Sequence, residues 1–194
     1  MGSVYRRPPG QRPGGDSSAL WWWGLLASAL LGLWLTLPAW GSRPPAGDDV
    51  MAHLVRAEFG LDEIFGRGRL DGWFPRFMVG HQEFQFYGPG FTWAVGAVQL
   101  ATFGLVSTTG ALKVVVIASV VAIGPSVGFL ARSAGLSGRA AGLAAVLALA
   151  VNNPFGIGLA GVFTIGLYPH QLAGPLFCVA LGAALRVVDD PRSR

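Results

Sequence analysis

Asp48, Asp49, His53 and Arg56 stand together in the stretch GDDVMAHLVRAE, Gly47 to Glu58, just after a long apolar run and a proline-rich break. A carboxylate at such a place can serve as a general base or as a ligand to a divalent cation. Asp49 and His53 are four positions apart, so a helix would put both on one face with Arg56 beside them. The same residues fit a plainer use, in which Asp48 caps a surface helix and Asp49 favours the positive end of its dipole. Two ligands at i, i+4 do not make a metal site, so spacing alone leaves both readings open. Further candidates lie downstream. Arg76, like Arg56, offers the bidentate geometry that matches phosphate oxygens. Tyr87 sits in EFQFYGPGF with Phe84, Phe86 and Phe91, a cluster that suits an interfacial aromatic belt or a platform for a sugar ring or isoprenoid tail. His170 is the polar group of a second loop, Asn152 to Gln171.

Several elements must position these residues. Val50, Leu54, Ala57, Leu61 and Ile64 recur at helical spacing, which predicts an amphipathic helix over 49–65 lying along a membrane surface. The chain of 194 residues is 52% hydrophobic and 12% charged, about half the charged fraction of a soluble domain. Several of its apolar runs are long enough to cross a bilayer core, which takes roughly 20 helical residues. The expected fold is therefore all-α: a polytopic membrane protein with about four transmembrane helices plus a half-span, and amphipathic helices in the first exterior loop.

The expected boundaries are a disordered cytoplasmic tail over 1–18, a first span over 19–38, and an exterior loop over 41–88. A membrane region follows over 89–187, with a half-span at 89–106 and spans at 111–131, 140–154 and 172–187. A short tail, 188–194, closes the chain. The 89–106 segment is read as partial because that choice puts Arg132, Arg139 and Arg186 on the side of the N-terminal arginines, as the positive-inside bias requires. The N-terminus is then cytoplasmic in a multi-pass plasma-membrane protein. Seven of the ten acidic residues fall in the exterior loop, and all three histidines face the same side. Gly124 and Gly128 should let a neighbouring helix approach closely, and Pro125 should kink its span. Cys178 stands alone and reads as a small apolar packing residue. The thirteen arginines and one lysine form no stripe with interleaved aromatics, so nucleic acid is not an expected partner.

The order of features resembles the N-terminal part of the GT-C superfamily of membrane glycosyltransferases, which use polyprenyl-phosphate sugars as donors. Within it, DVMAHLVRAE followed by GRLDGWFPRFMVGHQEFQFYGPG is most similar to bacterial membrane proteins of the YfhO type. The matching positions are Asp49, His53, Leu54, Arg56, Gly72, Phe74, Pro75, Gly80, Phe84, Tyr87 and Pro89. The resemblance implies transfer of a sugar from a lipid-linked donor at the outer face, with Asp49, or Asp48 in its place, as the base. It also implies that His53, Arg56 or Arg76 binds the departing phosphate. One departure concerns cofactors. Relatives that use a divalent metal take ligands from the second exterior loop, and residues 152–171 here contain no Asp or Glu. The sequence therefore fixes no cofactor and no metal ligands. The expected partners are the bilayer, a lipid-linked sugar donor, and a second chain or further domain completing the fold. The competing expectation is a non-catalytic membrane subunit or scaffold that binds lipid or a partner chain.

Overall fold

The computed structural model describes residues 18–75, 80–84, 88–152 and 158–189. Helix α1, Ser18–Leu35, is apolar throughout and carries no charge in its first or last turn. A short 3-10 turn, Leu37–Trp40, ends it. Helix α2, Val50–Phe59, runs on through a π-helical turn, Gly60–Ile64, and a 3-10 turn, Phe65–Arg67, where Gly68 stops it with a φ of 69°. Strands β1, Gly72–Phe74, and β2, His81–Glu83, then form an antiparallel hairpin that pairs Gly72 with Glu83 and Phe74 with His81. Helices α3, Gly90–Ala101, α4, Thr108–Ser133, and α5, Gly138–Leu147, follow, the last extended by a 3-10 turn, Ala148–Ala150. A short helix α6, Gly158–Ala160, continues as a π turn, Gly161–Ile165, before α7, Tyr168–Asp189.

Helix length decides what each element can span. At 1.5 Å per residue, the 26 residues of α4 and 22 of α7 reach about 39 and 33 Å, against a bilayer core of about 30 Å. These two are the helices, among the described residues, long and apolar enough to cross a membrane. The 18 residues of α1 reach about 27 Å, and the 12 of α3 about 18 Å. Ser107 starts α4 by accepting the Gly110 N–H on its hydroxyl, and Ser137 does the same for α5 through the Ala140 N–H.

Helices α1, α4 and α5 meet through small residues. A Cβ on Gly24 would stand 2.4 Å from the Gly142 Cα, and one on Gly124 would stand 2.5 Å from the Ser28 Cβ and 2.7 Å from the Ala145 carbonyl oxygen. Those contacts put the start of α1 beside the start of α5, and both helices antiparallel to α4. Helix α7 runs parallel to α4: Arg186 lies 4.3 Å over the Phe129 ring and donates from Nε to Ser133 Oγ at 2.9 Å. Helix α3 ends beside the start of α4, where Gln99 donates to Thr108 Oγ1, and its Phe91 belongs to the same core cluster as Leu112, Val115 and Val116. The four bundle helices thus have two distinct ends. Arg132, Arg139 and Arg186 gather at one, and the acidic segment 41–75 with the β hairpin covers the other. The outward faces of α1 and α7 expose the large apolar side chains Trp22, Trp23, Leu30, Trp34, Leu176 and Phe177.

Two expectations about the first loop change. The stripe of α2 is not left free for a membrane surface: Leu54 and Ala57 are buried in the core with α3 and α4 residues, which bury the same apolar area inside the protein. Asp48 does not cap α2. The N-cap is Asp49, with no side-chain capping bond. Backbone pairing fixes this turn instead, because Asp48 N–H donates to Thr164 O at 3.0 Å and Asp49 N–H to Ile165 O at 2.9 Å. Gly47 and Gly166 make the approach possible, since a Cβ on Gly47 would stand 2.8 Å from the Gly166 Cα.

Candidate functional site

The covered end of the bundle holds three features: a buried charge cluster, an exposed pair of aspartates, and the mouth of an apolar groove.

Glu83 organises the cluster. Its side chain is 1% exposed, with Arg56 Nε 3.5 Å from one carboxylate oxygen and His81 Nε2 2.8 Å from the other. The hairpin register explains the meeting. His81 and Glu83 are two residues apart on β2, so both project to the same face, and that face lies over the α2 turn bearing Arg56. An ion pair this deep balances a large desolvation cost against mutual attraction, so its role is to fix the hairpin on α2 rather than to add much stability. Phe84, next in the chain, holds a left-handed φ of 67°. Its ring stacks on Phe65 at 5.3 Å.

His53 lies one helical turn before Arg56 and is 7% exposed. Its ring packs 5.7 Å from Phe91 and 5.4 Å from Tyr168, while the Tyr168 hydroxyl donates to Ala46 O at 2.9 Å. Burial lowers the pKa of His53 below its ordinary 6.5; the Arg56 charge adds to this, and the Gly166 carbonyl and Asp49 oppose it. Nε2 has no hydrogen-bond partner, so the bond to the Gly166 carbonyl comes from Nδ1–H, and the neutral ring presents a bare Nε2 lone pair. It faces a small cavity of about 20 Å³ lined by His53, Arg56, Glu83, Thr92 and neighbouring apolar side chains.

Asp48 and Asp49 are exposed at the start of α2. His170 is exposed at the start of α7 and lines, with Gln171, one end of a groove of about 670 Å³. The groove runs between α4, α5 and α7 past Ile123, Val127, Leu147, Pro175 and Cys178 to the middle of the bundle. A second cleft, about 560 Å³, lies between the π turn after α2 and the hairpin, with Glu58, Asp62, Arg67, Arg69 and Trp73 in its walls.

The structure therefore divides the residues singled out in the sequence. His53 and Arg56 come together with Glu83 and face inward. Asp48, Asp49 and His170 lie outside, at the same end of the bundle. Arg76 and Tyr87 fall outside the described residues, as does Phe86. Of the expected aromatic belt, Phe91 is 5% exposed and Phe84 stacks within the loop, so both pack inside the protein instead of facing outward. Glu83 was the residue that sequence reasoning missed. The usable signal was His81 and Glu83 at strand spacing, with no other Asp, Glu, Lys or Arg between Arg76 and Lys113. Among the described residues, no group of three or more His, Cys, Asp or Glu side chains converges as a metal site.

Comparison with known proteins adds no relative: no family model, no curated protein and no solved structure matches the chain.

Proposed function

We propose that the chain is a polytopic membrane glycosyltransferase, or the N-terminal module of one, that moves a sugar from a polyprenyl-phosphate donor to an acceptor at the acidic end of the bundle. The observation that carries this reading is the apolar groove. It opens beside His170 at the acidic end and descends between the two longest apolar helices, the arrangement a lipid-linked substrate needs if its tail is to stay in hydrocarbon while its head reaches water. In this reading α4 and α7 cross the bilayer, α1 and the shorter α5 pack against them within it, and the arginine-bearing end is cytoplasmic, as the charge bias requires.

The chemistry follows from the exposed groups. Asp49, anchored by its backbone to Ile165, takes the proton from an acceptor hydroxyl, with Asp48 adjacent. The oxygen so freed attacks the anomeric carbon from the side opposite the phosphate. The C–O bond to the phosphate breaks, and polyprenyl phosphate leaves with inversion. In this reading His170, at the groove mouth, donates a hydrogen bond to the leaving phosphate. Arg56 is held by Glu83, so its part is to fix α2 and the aspartates.

A photoactivatable polyprenyl-phosphate probe, added to the protein in lipid nanodiscs, tests the groove. Label is expected on α7 and α5 peptides that line it, with competition by unlabelled polyprenyl phosphate. Uniform labelling of the outer faces of α1 and α7, without competition, would remove the basis of the reading.

One observation favours a second use. Arg56, His81 and Glu83 pair with one another, so this cluster holds the hairpin on α2 and leaves the clefts as binding surfaces. A non-catalytic subunit that binds lipid in the groove and a partner on the loop needs no more. It predicts that Asp49 can be replaced freely while groove-filling substitutions cannot.

A further inference from the structure

A small cavity lies between His53 and Glu83. It is lined from four elements, with Phe84 and Gly88 beside them: α2 supplies His53 and Arg56, β2 supplies Glu83, α3 supplies Phe91 and Thr92, and the start of α7 supplies Pro169. Its volume of about 20 Å³ has room for one water molecule, which needs roughly 10–15 Å³. His53 and Glu83 are both more than nine-tenths buried, and His53 Nε2 meets no partner. A dry cavity would leave that acceptor bare, whereas native interiors pair nearly every such atom with protein or ordered water.

We infer that this cavity is a binding site for a single water molecule that bridges His53 Nε2 and the Glu83 carboxylate. The donor and acceptor count closes. Nδ1–H is already given to the Gly166 carbonyl, so Nε2 accepts and the water must donate to it. A carboxylate oxygen with two lone pairs can accept the second water proton while keeping its contact with His81. Direct contact between His53 and Glu83 is unnecessary, and the hairpin is tied to the bundle through the water. The site is independent of sugar transfer and stands whichever function the chain performs.

The test uses the full chain in nanodiscs with 15N-labelled histidine, His53 being assigned by its loss in H53F. Long-range 1H–15N spectra should show His53 as the neutral Nδ1–H tautomer with a hydrogen-bonded Nε2, and its ring proton should show a cross-peak to a slowly exchanging water. E83Q should shift the Nε2 signal, since the two groups share the bridge. A double-mutant cycle gives a second readout. H53F should lower the unfolding midpoint less in the E83Q background than in the native chain. The proposal is overturned by an Nε2–H tautomer, by the absence of a bound-water cross-peak, or by strictly additive H53F and E83Q effects.

Discussion

Glu83 is where a single residue decides most. It is the one fully buried carboxylate among the described residues, and removing it would leave the Arg56 charge desolvated with its main counter-charge gone. Breaking such a pair from one side costs about 3–5 kcal/mol when the remaining charge is fully buried. Arg56 keeps 14% exposure, so Glu83→Ala should cost about 3 kcal/mol, at the low end of that range. Chemical denaturation in detergent or nanodiscs measures it, and a loss below about 1 kcal/mol, the size of an exposed pair, would place the ion pair among solvent-screened contacts. His53 gives a pH signature of fixed sign. Its folded pKa is depressed by burial, so the unfolded chain binds more protons below the ordinary value of 6.5. Stability from this group is fully present above that value and is lost as pH falls below it. The unfolding midpoint should therefore drop between pH 7 and 5.5, and His53→Phe should flatten that part of the profile. An unchanged slope in the variant would assign the dependence to other groups.

Among the elements, the helices were legible and their partners were not. The apolar runs placed α4 and α7 within a few residues because a span's length and lack of charge are local properties. The stripe of Val50, Leu54 and Ala57 announced α2 for the same reason. What covers that stripe is a tertiary fact: α3 folds back beside α4 and buries it, which no periodicity inside α2 can report. The aspartates were visible as a pair, but the backbone strap from Thr164 and Ile165 joins residues more than a hundred positions apart and carries no local mark. Gly124 and Gly128 did read correctly as contact glycines, since small residues in a span usually mark a close neighbour. Gly124→Leu should accordingly force α1 away from α4, because the added atoms meet Ser28 and the Ala145 backbone. A loss of about 1–3 kcal/mol is expected from overpacking, read as a lowered unfolding midpoint. Gly174 offers the contrasting case. A Cβ there meets nothing within 4 Å, and the residue lines the groove. Gly174→Phe should fill the groove with little change in the unfolding midpoint while abolishing competition by polyprenyl phosphate. Undiminished binding in that variant would place the lipid elsewhere.

At the scale of the whole molecule, the charges sort to the two ends of an apolar bundle. Arginines 132, 139 and 186 mark one end, while the acidic loop, the aspartates and the groove mouth share the other. The sequence carried this asymmetry in its arginine positions. It could not reveal that the groove opens at the acidic end, since its walls come from three helices distant in the chain. The proposed activity depends on that coincidence of groove and aspartate, and Asp49 is the group whose chemistry can be removed without disturbing its anchor, because the strap uses its backbone. The decisive measurement is transfer of radiolabelled sugar from polyprenyl phosphate in membranes carrying the native protein or Asp49→Asn at equal abundance. Transfer by the native protein, reduced by at least about a hundredfold in Asp49→Asn as expected for loss of a general base, is the predicted result. Equal transfer by both proteins, or none above empty membranes with the native protein, would contradict the account.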